Sequence, residues 1–251
     1  MSDLSAADPR GNDGSEEGEA RIDSEHDGLD RAAVFADIVR QRRSVRAFSS
    51  QPVPREQLEA IFSLACRAPS NCNTQPWQIA VASGGACERL RRVLPGALAA
   101  GEYDMDFDYS GRYQGVYRDR QHDAAACLYR AMGIARGDRE ARDQAFARNF
   151  TFFGAPHVAF LFLPEPFGLR EAADLGMFAQ TLMLALTAHG LASCPQTALS
   201  FNADRVRREL AIEPGWRLLF GISFGYEEVG AEANRCRVER APLEQLVRFV
   251  E

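Results

Sequence analysis

APSNCNTQPW, residues 68–77, sets a Pro, a Ser, two Asn, a Thr, a Gln, a second Pro and a Trp between two apolar stretches. A plain turn needs only one or two of Pro, Asn or Ser. This stretch also carries three side-chain amides (Asn71, Asn73, Gln75) and a large aromatic, more hydrogen-bonding capacity than a turn uses. Upstream, VPREQLEAIFSLACRAP places Leu58, Ile61, Phe62 and Ala65 at helical spacing behind Pro54, and this helix ends at the Pro69 turn. Downstream, WQIAVAS alternates as a short strand, which Trp77 opens as a core anchor. The unit is helix, polar loop, strand, and the loop is where chemistry is expected.

The whole chain bounds what that chemistry can be. Its 251 residues suffice for one large domain with a substantial core. No apolar run is long enough to span a membrane, and the N-terminus lacks the basic start and apolar core of a secretory signal. The net charge of −6 is concentrated: residues 1–30 hold ten acids and two Arg, whereas the rest hold 25 acids and 27 bases. Residues 1–30 therefore read as a disordered acidic tail, and residues 31–251 as a single near-neutral domain with no sign of nucleic-acid binding. Six scattered cysteines without a Cys-x-x-Cys pair argue against structural zinc and give no disulfide framework, so they read as small buried hydrophobes in a reducing, cytoplasmic setting. No Lys is present, and all 29 basic residues are Arg. A Lys Schiff base, a P-loop Lys and a Lys general base are thereby excluded, and an anion must be held by Arg or backbone amides.

Along the chain, Val34–Arg40 reads as a short helix, CERLRRVLPG as a helix, and two more are expected at Asp119–Ile134 and Asp138–Phe152. HVAFLFLP is a buried strand. REAADLGMFAQTLMLALTAHG is a long helix, apolar nearly all round and hence central, with Gly190 as its cap. GLASCPQTALS reads as strand and loop, Asn202 as the cap of ADRVRREL, GWRLLFGISFGY as a strand, and APLEQLVRFV as a terminal helix. The alternation locally favours βαβ units and a parallel sheet, yet no strand leads into a Gly-x-Gly-x-x-Gly turn, so a dinucleotide fingerprint is missing.

RQRRSVRAF gathers Arg40, Arg42, Arg43 and Arg46 around Ser44, and NRCRVERAPL gathers Arg235, Arg237 and Arg240. The first cluster fits either a solvated helix end or an anion site, in which guanidinium forks and a hydroxyl meet phosphate oxygens. Two Arg clusters and an amide-rich loop suit a phosphorylated heteroaromatic cofactor, whose ring edge alternates donors and acceptors.

RRSVRAF, then APSNCNTQPW, then GISFGY…RVERAPL resemble, in order and spacing, the FMN-dependent nitroreductase family across most of residues 34–250. The resemblance implies an α+β fold, with a mixed, mostly antiparallel sheet wrapped by helices, in an intertwined homodimer with FMN at the interface. The strand at 216–224 and the helix at 171–190 would form the shared core. On this likeness Arg42, Arg43, Ser44 and Arg46 would hold the FMN phosphate and ribityl chain and approach the flavin's pyrimidine edge. Pro69, Ser70, Asn71 and Asn73 would line the flavin from the other subunit, with Gln75 supporting their loop. Gln196, Thr197 and Ala198 match the loop that presents a backbone N–H to flavin N5. Arg237 and Arg240 match a C-terminal basic pair on the phosphate, although Val238 stands where some relatives carry Lys. Arg148, with Asn149, matches a further polar flavin contact.

The reaction implied is passage of a hydride from NADPH or NADH through flavin N5 to a flat small aromatic such as a nitroaromatic or quinone, in a ping-pong cycle. That explains why no catalytic triad is apparent; His122, His157 and His189 are dispersed and read as structural. Residues 99–150 form a variable helical segment. Its aromatic part, 101–118, reads either as a lid, with Arg112 or Arg118 facing a substrate carboxylate, or as a surface excursion packed by its own tyrosines. Two other functions stay open on the sequence: different flavin redox chemistry (dehalogenation, enone reduction, natural-product oxidation), and a protein that fragments or only binds FMN.

Overall fold

In the computed structural model, which describes residues 30–251, four strands form one antiparallel sheet in the order β1-β2-β4-β3. They are β1 (Gln78–Ser83), β2 (His157–Pro164), β3 (Ala192–Gln196) and β4 (Trp216–Gly225). Seven α-helices surround them: α1 (Arg31–Gln41), α2 (Arg55–Ala65), α3 (Gly85–Ala99), α4 (Gly115–Ala131), α5 (Arg139–Ala147), α6 (Leu169–Ala188) and α7 (Ala203–Leu210). This is the α+β arrangement, and every strand pair is antiparallel. The parallel sheet favoured by local alternation is not formed; the only parallel pairing among the described residues is a single bridge between Ser44 and Ser193.

The misreading has a physical source in β2. Val158, Phe160 and Phe162 enter one apolar cluster, with Leu90 and Leu94 of α3 and Val206 of α7. Ala159, Leu161 and Leu163 enter the other, with Ile61 of α2 and Leu175, Phe178 and Leu182 of α6. Each strand side faces helices, so the strand is apolar on both faces, a pattern usual for parallel sheets. β4 crosses the same two layers and shifts register by a bulge between Leu161 and Phe162 of its partner. At Gly221 of β4 an added Cβ would lie 2.6 Å from Leu199 Cδ1, so glycine lets the 197–200 turn press on the sheet.

All the expected helices but the terminal one are present, with moved ends. α1 starts at Arg31, where the carboxylate of Asp30 accepts from the N–H groups of Ala32 and Ala33. Residues 1–29 of the expected acidic tail lie outside the described residues; Asp30 belongs to the helix cap. α3 continues through Pro95 to Ala99, held by buried Leu94 and Ala97. The helix expected up to Phe152 ends at Ala147, and a 3₁₀ segment, Arg148–Gly154, follows with Phe152 and Phe153 at positive φ. Gly190 follows α6 at φ +73, as a C-terminal cap requires. Asn202 occupies the N-cap position of α7, but its side chain makes no cap bond; its amide donates to the Glu102 carbonyl at 2.6 Å. The terminal helix is not formed. Only Leu243–Gln245 coil into a 3₁₀ turn, and Leu243, Leu246, Phe249 and Val250 are exposed. A short apolar helix without a surface to pack against is not stable.

Candidate active site

The sequence's two arginine clusters, nearly 200 residues apart, come together beside β3. After α1 the chain straightens, Val45 N–H bonds to Ser193 O at 3.0 Å, and Ser44 bridges Ser193. Asn234, buried in the Glu232–Arg235 turn, then joins the clusters: its Oδ1 accepts from Arg46 N–H at 2.8 Å and its Nδ2 donates to Ala47 O at 2.9 Å. Sequence reasoning missed Asn234, because nothing in its surroundings distinguishes a buried tether from a turn residue. Arg148 donates to Arg46 O at 3.0 Å and adds a third strand of contact.

The charges in this corner are unbalanced. Arg43 is paired with Glu227, at 2.6 and 2.5 Å to its two oxygens. Arg42, Arg46, Arg148, Arg237 and Arg240 have no carboxylate at ion-pair distance among the described residues. Arg46 reaches Ser44 O, Arg237 reaches Asn234 O at 2.7 Å, and Arg240 reaches Val238 O at 2.9 Å. Partial burial, and then the nearby positive charge of Arg240, push the proton affinity of Arg42 below the usual guanidinium range. Burial alone does the same to Arg148. Cys194 on β3 marks the focus: burial pushes its thiol up to about 11, while Arg46, the Ser44 hydroxyl and Arg42 pull it back. Like charges held together with no carboxylate at ion-pair distance among the described residues could hold an anion.

The end of β3 and the Thr197–Ser200 turn form a strap that the Gln196 side chain ties down. Gln196 is buried; its amide nitrogen donates to Asn149 O at 3.0 Å and Oδ1 at 3.1 Å, and its oxygen accepts from Ser223. Its side chain is thus committed inside the protein and links the strap to Asn149. Thr197 is exposed, whereas Ala198 packs in the core.

The 68–77 loop sits on α6, in the other apolar layer. Asn71 N–H donates to the buried Asp174 carboxylate at 3.2 Å, Gln75 N–H to Ser70 Oγ at 2.9 Å, and Gln75 Nε2 to Asn73 O at 3.1 Å. Trp77 is 9% exposed and its ring lies 5.2 Å from that of Phe178. Cys72, Asn73 and Gln75 all take positive φ, uncommon for residues other than glycine and frequent at ligand clamps. Pro69 and the Asn71 and Asn73 amides face outward. No hydrogen bond or ion pair among the described residues joins this loop to the arginine corner.

The aromatic segment after α3 is partly docked. Asp106 accepts from Arg207 and from Leu218 N–H at 2.6 Å, and Arg217 lies 4.1 Å over the Phe107 ring. Tyr103 and Tyr109 lean on Phe201, just beyond the strap, and remain about half exposed with Tyr113. Arg118 pairs with Asp119 at 3.3 Å. Among the described residues no group of acids, cysteines and histidines could hold a metal, and no helix is long and apolar enough to cross a membrane.

A family model for the nitroreductase family matches residues 39–226. The chain is 47% identical to Nitroreductase NfnB of Mycolicibacterium smegmatis over 88% of its length and 94% of that protein. It is 32% identical to a 4-nitrobenzoate reductase of Nocardioides sp. over 86% and 90% of the two chains. The solved structure of the FMN-dependent NfnB from M. smegmatis in complex with NADPH superposes with TM-score 0.84, covering 88% of this chain and all of that one. An FMN and NADPH-dependent NfnB from Sphigopyxis sp. strain HMH gives 0.83 at 34% identity, covering 86% and 99%. With its antiparallel four-stranded sheet, its arginine corner and its strained amide loop, the chain belongs to the nitroreductase family.

Proposed function

We propose that this protein is an FMN-dependent oxidoreductase that uses NADPH or NADH to reduce a flat organic acceptor, a nitroaromatic or quinone. The observation that carries the reading is the corner where Arg42, Arg46, Arg237 and Arg240 converge with no carboxylate at ion-pair distance among the described residues. Such a donor set fits one terminal phosphate: Arg forks meet its oxygens, and its negative charge relieves the repulsion between Arg42 and Arg240. Arg42 and Arg240, with Ser44 and Arg237, are assigned to that phosphate. Arg46 and Arg148 are assigned to the ring side, where a cation stabilises developing negative charge. Arg43 stays with Glu227 and holds the segment in place. The strap at Gln196, Thr197 and Ala198 offers backbone N–H groups, fixed by the Gln196 side chain.

FMN, when bound, supplies the hydride transfer that no side chain here can perform. The chain's own residues bind, orient and shield it. Pro69, Ser70, Asn71 and Asn73, with Gln75 behind them, are proposed to reach the flavin of the partner subunit in a homodimer. This assignment uses the outward amides of the strained loop and its separation from the arginine corner. The exposed apolar residues of the C-terminal segment and of α1 (Phe35, Val39) offer the surface for that pairing. Relatives named for nitrobenzoate, nitrobenzene and chloronitrobenzene reduction favour a small nitroaromatic substrate. The half-exposed Tyr103, Tyr109 and Tyr113 give such a ring a stacking surface. A cytoplasmic location accords with a nicotinamide-dependent enzyme whose cysteines are unpaired.

The test is direct. Purified protein should be yellow, release FMN on heating, bleach with NADPH or NADH, and recover colour with a nitroaromatic. Light scattering should give a dimer. FAD in place of FMN, or no flavin after reconstitution, overturns the reading. Reduction without nitroaromatic turnover moves the function to another acceptor.

A further inference from the structure

Cys127 and Cys236 are 109 residues apart in sequence, yet their sulfur atoms lie 2.7 Å from each other. That separation falls between a covalent S–S bond of about 2.05 Å and ordinary van der Waals contact. Cys127 lies on α4, the helix that follows the aromatic segment, and Cys236 directly follows the Glu232–Arg235 turn that Asn234 ties to the arginine corner. The Cys127 thiol also donates to Arg237 O at 3.2 Å. Both residues are partly exposed, so a small oxidant can reach them. The other four thiols are dispersed over the described structure: Cys66 and Cys72 exposed, Cys87 and Cys194 buried in the core.

We propose that Cys127 and Cys236 form a reversible intrachain disulfide when exposed to hydrogen peroxide, a redox site that fastens the C-terminal arm carrying Arg237 and Arg240 to α4. The chemistry balances in two steps. A Cys127 thiolate attacks one peroxide oxygen, gives a sulfenic acid and releases hydroxide, which takes the displaced thiol proton to become water. Cys236 sulfur then attacks the sulfenic sulfur, the S–O bond breaks, the S–S bond forms and a second water leaves. Two thiol sulfurs lose two electrons, the peroxide gains them, and an external dithiol reverses the change. The balance is the same with the two sulfurs exchanged, because either thiol, once oxidised, has the other within reach. Little movement is needed, because the sulfurs already lie close. The bond therefore holds the arm in its present place rather than pulling it away.

The consequence for cofactor retention rests on the assignment of Arg237 and Arg240 to the phosphate; the covalent site does not. The experiment treats the FMN-loaded dimer with hydrogen peroxide, quenches with an alkylating agent, and maps peptides without reduction. The expected result is loss of two of the six thiols, a linked pair of peptides containing Cys127 and Cys236 that a dithiol separates, and a melting temperature raised by about 5 °C or more. FMN should leave the oxidised protein several-fold more slowly than the reduced protein. Cys127→Ser and Cys236→Ser should keep the reduced enzyme's turnover and lose every peroxide effect. Sulfinic acid at either cysteine without a linked pair, or a bond between chains instead, overturns the proposal. A linked pair with unchanged FMN release overturns only the coupling to the cofactor site. Failure to bind any flavin would count against the function proposed above, with the peptide map still deciding the disulfide.

Discussion

Replacing Arg42 by Ala separates an anion site from a solvated helix end. Arg42 closes α1, its backbone N–H bonding to Ile38 O at 3.0 Å, and its guanidinium lies beside Arg240 with no carboxylate at ion-pair distance among the described residues. A bond between a guanidinium and a charged oxygen contributes roughly 1.5–3 kcal/mol. Removing Arg42 also relieves its repulsion with Arg240 in the free protein, which lowers the net loss toward the smaller figure for one bond. Since 1.4 kcal/mol is about tenfold in affinity, Arg42→Ala should weaken FMN binding about tenfold to a hundredfold. Lys at this position should recover part of that, because a point charge cannot reproduce a bidentate fork. FMN titrated into apo-protein and followed by flavin fluorescence gives the affinity. Single-turnover reduction by NADPH at saturating FMN gives the chemistry, and it should stay near wild type. Arg43→Ala is the control: its partner is Glu227, so it should cost about 1 kcal/mol of stability and leave FMN affinity within a few fold. An Arg42→Ala protein that binds FMN like wild type would refute the anion-site argument at this residue.

Trp77→Ala removes the ring that packs on Phe178 beneath the amide loop, and should lower stability by about 3–5 kcal/mol in a denaturant titration. His157 is buried, accepts from Val53 N–H at Nε2 (2.9 Å), and so carries its proton on Nδ1 toward Ser83 Oγ (2.6 Å). Burial lowers its pKa below the usual 6.5, so its contribution is whole above that pH. Protonation of the unfolded chain removes it as pH falls below 6.5, and the melting temperature of His157→Gln should fall less than wild type between pH 7 and 5.5. Asp30→Ala should cost about 1 kcal/mol by uncapping α1, whereas removal of residues 1–29, acidic and poor in apolar side chains, should leave flavin content and turnover unchanged.

Much of the fold was legible because its elements carry their own signals. The apolar face of α2, the length of α6 and the run His157–Pro164 each point to one local structure. Strand direction was not legible from β2 alone. A central antiparallel strand covered by helices on both faces has the same residues as a parallel one. The C-terminal segment failed for the opposite reason: APLEQLVRFV has helical spacing, but its apolar residues stay exposed among the described residues. Residue types in RQRRSVRAF and NRCRVERAPL pointed to an anion, yet which arginine stays uncompensated depended on Glu227, 184 positions from Arg43. The meeting of Cys127 with Cys236 was invisible to spacing rules, which read neighbours in sequence and not in space.

The amide loop shows why residue choice and strain belong to one argument. Positive φ at Cys72, Asn73 and Gln75 costs of order 1–3 kcal/mol each, so the conformation persists only if its surroundings impose it. They do: Asp174 fixes Asn71 N–H, Ser70 fixes Gln75 N–H, and Trp77 is clamped on α6. A glycine at any of the three strained positions would relieve the backbone, but Asn73 and Gln75 would then lose their amides. Gln75 uses its own to brace Asn73 O, whereas the Asn73 side chain has no partner and Asn71 Oδ1 takes only a weak thiol contact among the described residues. The chain thus bears strain to hold two amides where nothing of its own bonds them well. A braced loop that presents exposed amides suits a ring edge of alternating donors and acceptors supplied from outside the chain, and this is the physical content behind the proposal that it meets the flavin of a partner subunit.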